Sequence, residues 1–316
     1  MAKRDNNIWV EKYRPQTLEE YIGNDHIKSK LKEFIESNEI FNLLFYSNAP
    51  GTGKTSAGWL LVKNIDCEVL YLNGSDDNNM ETVRTKIKGF VSSMSVKKWK
   101  IVFIDEFGYF HANSQAALRG IIETYSAHAR FILTANELDR IIDPIQSRCQ
   151  VFHVLPPKKS EIANYVGNVL EKENVTYNPK DLKFIIEKSF PDIRKTLQIC
   201  QQCTNTDNEL ILNENNVQEY EYIPKIIEIF KNKSIKKYDS YKEIRQLIAD
   251  ARINDFKPLI EYIYTKLDDI TDDPSLQGII ILILQEVQYN DAFAFGKGKE
   301  INIIAGILKI LGELKS

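Results

Sequence analysis

The chain has 316 residues, 43% of them apolar and 27% charged, with a formal net charge of −3. That composition is ordinary for a soluble globular protein, and the length points to two or three domains rather than one core. It excludes a globally basic nucleic-acid binder and a membrane protein: the greasiest run, Ile279–Leu284, falls far short of the ~18 apolar residues of a span.

The opening MAKRDNNIWVEK lacks the apolar stretch of a secretory signal, so a cytoplasmic or nucleoid-associated protein with no membrane partner is expected. Ile8–Pro15 reads as extended, because Pro15 disfavours helix at Arg14. After a short turn over Leu18–Gly23, Asp25–Ser37 carries a helical stripe (Ile27, Leu31, Phe34, Ile35), with Asp25 as its candidate cap. Phe41–Ser47 is a short apolar run suited to a strand buried on both faces, and Ala57–Ile65 reads as a helix. Glu68–Leu72 is a second strand, Asn73–Asp77 a turn, and Met80–Val91 a helix with Val83, Ile87, Phe90 and Val91 inward. Lys100–Ile104, Arg130–Ala135 and Gln150–Val154 are further strands, separated by helices over Ser114–Tyr125 and Ile142–Ser147. This alternation predicts a parallel five-stranded sheet covered on both sides.

Pro156-Pro157 marks a boundary, after which no strand is convincing. Glu161–Asn174, Pro179–Ser189 and Asp192–Thr204 have helical periodicity. A second boundary is expected near Tyr222-Ile223-Pro224, followed by helices over Ile226–Asn232, Tyr241–Asn254, Phe256–Asp268, Ser275–Asn290 and Glu300–Leu314, with a loop over Asn290–Gly298. The domain expectation is therefore 1–155, 156–222 and 223–316. The cysteines are Cys67, Cys149, Cys200 and Cys203; Cys200 and Cys203 have metal-like spacing but no second pair, so buried thiols of a reduced compartment are expected. His26, His111, His128 and His153 show no ligand spacing and are assigned no chemistry.

The stretch FNLLFYSNAPGTGKTS (Phe41–Ser56) puts a strand, a glycine-bearing loop and a helix in succession. In that order the loop Asn48-Ala49-Pro50-Gly51-Thr52-Gly53-Lys54-Thr55-Ser56 forms a phosphate cradle, with backbone N–H groups and the positive helix end facing the anion. Lys54 would reach the outer phosphates and the Thr55 hydroxyl would hold Mg²⁺. A plain glycine turn accounts for Gly51 and Gly53 but leaves Lys54-Thr55 unexplained. Asn48 stands where such loops usually open with Gly, a mild departure because Asn tolerates left-handed backbone. Kinases and GTPases share this loop. The strand Ile101–Ile104 narrows the reading, because it ends in two adjacent carboxylates where doubly wound sheets bind ligands. Asp105 can serve the metal's water shell, and Glu106 can orient or deprotonate an attacking water. Asn136, at the end of another strand, suits a polar sensor of water or γ-phosphate between the two motifs.

WVEKYRP (Trp9–Pro15), the phosphate loop, NGSDD (Asn73–Asp77), IDEF (Ile104–Phe107), LTAN (Leu133–Asn136), QSRC (Gln146–Cys149) and PDIRKTLQ (Pro191–Gln198) occur in the order seen in sliding-clamp loaders. The chain resembles small subunits of replication factor C and also the large clamp-loader subunit of T-even-type bacteriophages. Asn48 and the Asp105-Glu106-Phe107-Gly108 motif lean towards the phage type. The resemblance covers roughly the first two-thirds of the chain. It implies an α/β AAA+ P-loop ATPase domain, a small helical lid carrying the second sensor, and an all-α collar. It implies that Val10, Tyr13, Arg14, Pro15, Ile22 and Gly23 enclose the adenine of ATP. Arg148 would be a finger acting on ATP in a neighbouring subunit, Arg194 a sensor reaching ATP in its own chain, and Asn73 would hold Glu106 away from water until DNA arrives. Implied partners are a sliding clamp, primer–template DNA and other clamp-loader subunits in a pentamer with a second subunit type, in the cytoplasm or, for a phage protein, in the host's.

Met80–Lys100 holds six basic residues (Arg84, Lys86, Lys88, Lys97, Lys98, Lys100) against Glu81 alone, a local charge of +5. It is the best candidate for DNA backbone contact, in competition with an ordinary solvated helix face. The resemblance turns the helices after Asp77 and near Ser114–Arg119 towards duplex, so Arg84, Lys88 and Arg119 are the expected contacts. Alternatives to a clamp loader are another AAA+ DNA machine, such as an initiator or branch-migration helicase, and a subunit that binds nucleotide without hydrolysing it.

Overall fold

The computed structural model describes residues 8–212, 214–232, 236–251 and 256–315. Residues 1–7 (MAKRDNN) and Asn254, the expected end of a helix, lie outside the described residues. The chain divides into two compact units, Met1–Ile211 and Leu212–Ser316.

Five parallel strands form the sheet of the first unit: β1 (Leu43–Tyr46), β2 (Cys67–Asn73), β3 (Trp99–Asp105), β4 (Ala129–Ala135) and β5 (Gln150–His153), in the order β2-β3-β4-β1-β5. Side chains alternate between the two faces of a strand. Accordingly Ile101 and Phe103 join the core under the helices Asp25–Ser37 and Lys54–Asn64, whereas Val102 and Ile104 join the core under Met80–Ser92 and Ala112–Thr124. Coverage of both faces explains the unbroken apolar runs, as expected for a parallel sheet. Close approach is visible at Gly58, where an added Cβ would lie 2.6 Å from Phe103 Cζ. The register sets Tyr46 beside both Ala135 and His153, and Asn73 beside Asp105. The residues that follow β1, β3 and β4 therefore emerge along one edge.

Several local expectations need correction. Trp9–Lys12 is a short helix rather than extended chain, closed by Glu11 and Lys12 N–H bonds to the Ile8 carbonyl. Pro15 restrains only Arg14, which is indeed outside the helix. Asp25 is the first residue of its helix and Asn24 takes the cap position, with its side chain bonded instead to the Leu155 backbone. Met80–Ser92 runs on as one helical segment but passes through a π-turn at Val83–Ile87.

Three helices follow the sheet: Lys159–Lys172, Pro179–Ser189 and Ile193–Cys203. Cys200 and Cys203 are buried on the last, and burial pushes the Cys200 thiol up to about 12. The Trp9–Lys12 segment is tied to this bundle. Trp9 N–H donates to Gln201 Oε1 (3.0 Å), Lys12 and the Tyr13 hydroxyl both reach Glu173 Oε1 (2.6 and 2.7 Å), and the Tyr165 hydroxyl donates to the Tyr13 carbonyl (2.6 Å).

The second unit is helical: Glu214–Lys231, Lys237–Ala251, Lys257–Thr265, Leu267–Ile270, Pro274–Asp291 and Lys297–Leu314. Its core is built from Ile226, Ile244, Leu259, Ile280, Ile307 and their neighbours. Pro224, read as a break, lies inside Glu214–Lys231. Proline costs a helix interior about 3 kcal/mol, and burial of Ile223, Ile226, Ile227 and Phe230 around it offsets that cost.

Candidate functional site

The edge where β1, β3 and β4 end opens onto a cleft of ≈ 220 Å³. Val10, Tyr13, Arg14, Pro15 and Ile22 line one side of it. Pro50 to Ser56 form the floor, Asp105, Glu106 and Asn136 the far end, and Arg194 the roof. Of the predicted contacts, Gly23 lines the adjoining cleft, where an added Cβ would lie 3.1 Å from Pro157, and Asn48 and Ala49 do not line the cleft, the Ala49 carbonyl accepting from Lys54 instead.

The floor is a loop only glycine can complete at two points. Gly51 has φ +63° and Gly53 φ +99°, in the left-handed region. A Cβ on Gly51 would fall 1.8 Å from Asp192 Oδ1, so the start of the helix Ile193–Cys203 presses directly on the loop. That carboxylate also caps its own helix by accepting from Lys195 N–H (3.0 Å), which fixes the first turn carrying Arg194. The 11-residue helix Lys54–Asn64 begins at the loop, and its first N–H groups lack intrahelical partners. Those donors and the positive helix end make the floor an anion site.

Lys54 is only 9% exposed, and its ammonium donates to the Ser47 and Ala49 carbonyls (3.2 and 3.1 Å). Burial lowers its pKa from 10.5 to about 8; Asp105 opposes the fall and the Arg194 guanidinium adds to it. A buried cation held by neutral carbonyls is a charge awaiting an anion.

At the far end, the Thr55 hydroxyl donates to Asp105 (2.9 and 3.1 Å to its two oxygens). A hydroxyl and a carboxylate side by side on the anion floor are hard oxygen donors of the kind Mg²⁺ takes together with phosphate oxygens. Two further hydroxyls hold Asp105: that of Tyr71 (3.2 Å) and that of Thr134. Burial, with Asp105 adding to it, pushes the Tyr71 phenol up to about 12, so it remains a donor. Thr134 also accepts the Glu106 N–H (3.0 Å), so one buried hydroxyl on β4 positions both carboxylates. Glu106 itself has φ +56°, unusual for a residue with a side chain and costing about 1–3 kcal/mol. The turn into Phe107–Tyr109 and the approach of Gly74, where a Cβ would meet the Glu106 carbonyl at 2.3 Å, hold it there. The Glu106 carboxylate accepts from the Ser75 hydroxyl, whereas Asn73 Oδ1 is engaged by the Ser75 N–H (3.0 Å). The side chain holding Glu106 is thus Ser75, not the Asn73 that the resemblance implies.

Sequence reasoning missed Thr134, Tyr71, Ser75 and Tyr21. The strand positions of Thr134 and Tyr71 suit their strand-forming side chains, so nothing in the pattern separated them from packing residues.

Arg148 does not join the cleft. It follows the short helix Asp143–Gln146, bonds Glu123 Oε1 through Nε (2.8 Å) and the Pro144 carbonyl through Nη1 (2.7 Å), and stays partly exposed. The basic stretch also thins out. Lys100 is 1% exposed and donates to the Phe90 carbonyl and Ser93 hydroxyl (both 2.6 Å), while Lys86, Lys97 and Lys98 pair with Asp77, Asp66 and Glu39. Arg84 and Lys88 are exposed and, among the described residues, have no ion-pair partner; Arg119 lies 3.9 Å from Glu123.

Residues 43–157 match the family model described as "ATPase family associated with various cellular activities (AAA)". The chain is 40% identical over 201 residues to the replication factor C small subunit of Archaeoglobus fulgidus, an alignment covering 61% of this chain and 63% of the relative. It is 38% identical over 211 residues to that of Methanothermobacter thermautotrophicus, covering 65% of each. The chain thus spans less than two thirds of the length of these curated relatives. Among solved structures, a RuvB chain of Thermotoga maritima matches with a TM-score of 0.56 and 15% identity, over 83% of this chain and 99% of that one. The expected architecture is present: a parallel five-stranded α/β AAA+ domain followed by helical regions.

Proposed function

We propose that this chain is an ATPase subunit of a sliding-clamp loader, binding and hydrolysing ATP at subunit interfaces to open a clamp and load it onto primer–template DNA during replication. The observation that carries the reading is that Lys54, the Thr55–Asp105 pair, Glu106, Asn136 and Arg194 face one cleft, in a chain similar to replication factor C small subunits. Val10, Tyr13, Arg14, Pro15 and Ile22 take the adenine side. The loop and Lys54 take the phosphates, with Arg194 above them. Thr55 and Asp105 hold Mg²⁺, which when bound neutralises charge on the phosphate oxygens. Glu106 is the general base, Asn136 orients the water, and Arg148 serves the neighbouring subunit's cleft. We read the helices Lys159–Lys172, Pro179–Ser189 and Ile193–Cys203 as the lid and the second unit as the collar, in a pentamer with a second subunit type. The phage-type branch rests on Asn48 and Phe107-Gly108 alone, and with it a site of action in the cytoplasm of a host.

The deciding experiment is ATP hydrolysis with and without primed DNA and candidate clamps. Strong stimulation by primed DNA plus clamp supports the loader; hydrolysis indifferent to both sinks it. A branch-migration motor is the second reading, because the solved structures of similar fold include the RuvB Holliday junction branch migration motor of Thermotoga maritima. At 15% identity that likeness extends to fold alone, and strand migration without clamp loading would favour it. The catalytic set argues against a subunit that never hydrolyses.

Lys54 makes nucleotide binding pH-dependent. Below about pH 8 the folded chain keeps a buried charge that costs stability, and the cost is relieved as pH rises from about 8 towards 10.5, where only the unfolded chain binds the proton. A polyphosphate needs that charge, so ATP affinity runs the other way. It should be flat below about pH 7 and fall by up to about tenfold per unit well above pH 8, with about one proton taken up per nucleotide. Calorimetry at pH 7 and pH 9 in buffers of different ionisation enthalpy measures the uptake, and its absence at pH 9 would refute the assignment.

Arg84, Lys88 and Arg119 track the duplex in this reading. Arg84→Glu with Lys88→Glu should abolish most DNA stimulation while ATP affinity stays put, because backbone contacts are charge-driven and sequence-blind. Stimulation at the wild-type level in the double variant removes these residues from the DNA surface.

A further inference from the structure

Among the described residues, the Tyr21 hydroxyl is the one buried side-chain polar atom with no hydrogen-bond partner. Tyr21 is 2% exposed. Its ring lies against Gly53, where an added Cβ would sit 3.0 Å from Cε2 and 3.3 Å from Oη. Tyr21 thus joins the two halves of the cleft, touching the phosphate loop at Gly53 while standing in chain beside Ile22 on the adenine wall. Packing alone does not call for the oxygen: a phenyl ring would fill the same space, without leaving a desolvated hydroxyl unsatisfied. Burial raises the phenol's pKa, so the group stays a neutral O–H donor. What it lacks is an acceptor, and the cleft is where one can arrive.

We propose that Tyr21 is a nucleotide-contacting residue whose hydroxyl donates to an oxygen in the ribose-5′-phosphate part of bound ATP or ADP. This rests on the cleft being the nucleotide site. The position follows from its neighbours: Ile22, next to Tyr21 in chain, is among the residues read as the adenine wall, and Gly53, which the ring touches, directly precedes Lys54 of the phosphate end, all lining one cleft. An acceptor reached from above Gly53 lies between those two ends and is common to the di- and triphosphate.

The test is Tyr21→Phe in the full-length chain, by calorimetric titration with ATP and with ADP and by thermal unfolding without nucleotide. Losing a hydrogen bond to a charged acceptor should weaken both nucleotides by about tenfold. The nucleotide-free variant should melt at or above the wild-type temperature, since it sheds an unsatisfied oxygen. Unchanged affinity for both nucleotides overturns the contact, and a loss confined to ATP overturns its position. A clearly lower melting temperature without nucleotide also overturns it, because the hydroxyl would then already have a partner in the free protein. If the wild-type chain binds neither nucleotide, the contact and the reading of the cleft fall together; if it binds and Tyr21→Phe binds equally, only the contact falls.

Discussion

In the proposed subunit ring, Arg148→Ala should slow ATP hydrolysis by about 10³–10⁵-fold, the range an arginine completing the transition-state charge supplies. The isolated chain should bind ATP as tightly as before, because Arg148 contributes nothing to its own cleft. Its guanidinium is spent on Glu123 and the Pro144 carbonyl, while the cations inside the cleft are Arg14, Lys54 and Arg194. Lys54 and Arg194 can neutralise ground-state phosphate, while beyond Glu106 and Asn136 lies a small pocket lined by Gly108, Tyr109 and the paired Glu137 and Arg140. A finger from a second copy would enter there. Mixing provides the sharper measurement. Assemblies combining Arg148→Ala subunits with Glu106→Gln subunits contain some interfaces with both groups intact, so part of the activity should return that neither variant shows alone. Wild-type hydrolysis by an all-Arg148→Ala assembly would show that the finger is elsewhere or unnecessary.

The parts legible from sequence were those where one physical requirement dominates. Ile101–Ile104 had to be a doubly buried strand because no polar residue interrupts it, and Lys54-Thr55 after a glycine loop has few uses other than phosphate. In helix Asp25–Ser37 the apolar stripe faces the core as expected, with Ile27, Leu31 and Phe34 buried and Ile35 half-buried beside them. Failures came where a tertiary contact overrode the local signal. Trp9–Lys12 folds as a helix with Trp9 buried and its N–H on Gln201, 192 residues away in sequence. Pro224 is tolerated because the helix around it is buried among other helices. The π-turn at Val83–Ile87 leaves Val83, Ile87 and Val91 inward, as ordinary periodicity already required, so the extra residue left no trace in the pattern. In the site, carboxylates and the lysine were visible because their types are rare at strand ends and loop floors. Thr134, Tyr71 and Ser75 were not, since a hydroxyl in a strand or turn is common and only geometry shows what it holds.

Glu106→Gln should reduce single-turnover hydrolysis by about 10²–10⁴-fold, the contribution of a positioned general base, with little change in ATP affinity. The substitution keeps the size of the side chain. It also keeps the features that put the residue in place: the left-handed turn at φ +56°, the N–H bond to Thr134 and the packing of Gly74 on its carbonyl. An amide still accepts from the Ser75 hydroxyl, so the resting arrangement survives. Only the ability to take a proton from water is lost. Asp105, the three hydroxyls on it and the Lys54 ammonium remain as they were, which is why binding and hydrolysis should separate cleanly. Asp105→Asn is the contrasting case. It weakens the carboxylate that Thr55, Tyr71 and Thr134 converge on, so Mg²⁺-dependent nucleotide binding should fall together with the rate. If Glu106→Gln turns over ATP within a few-fold of wild type, the base is another group and the two carboxylates have been given the wrong division of labour.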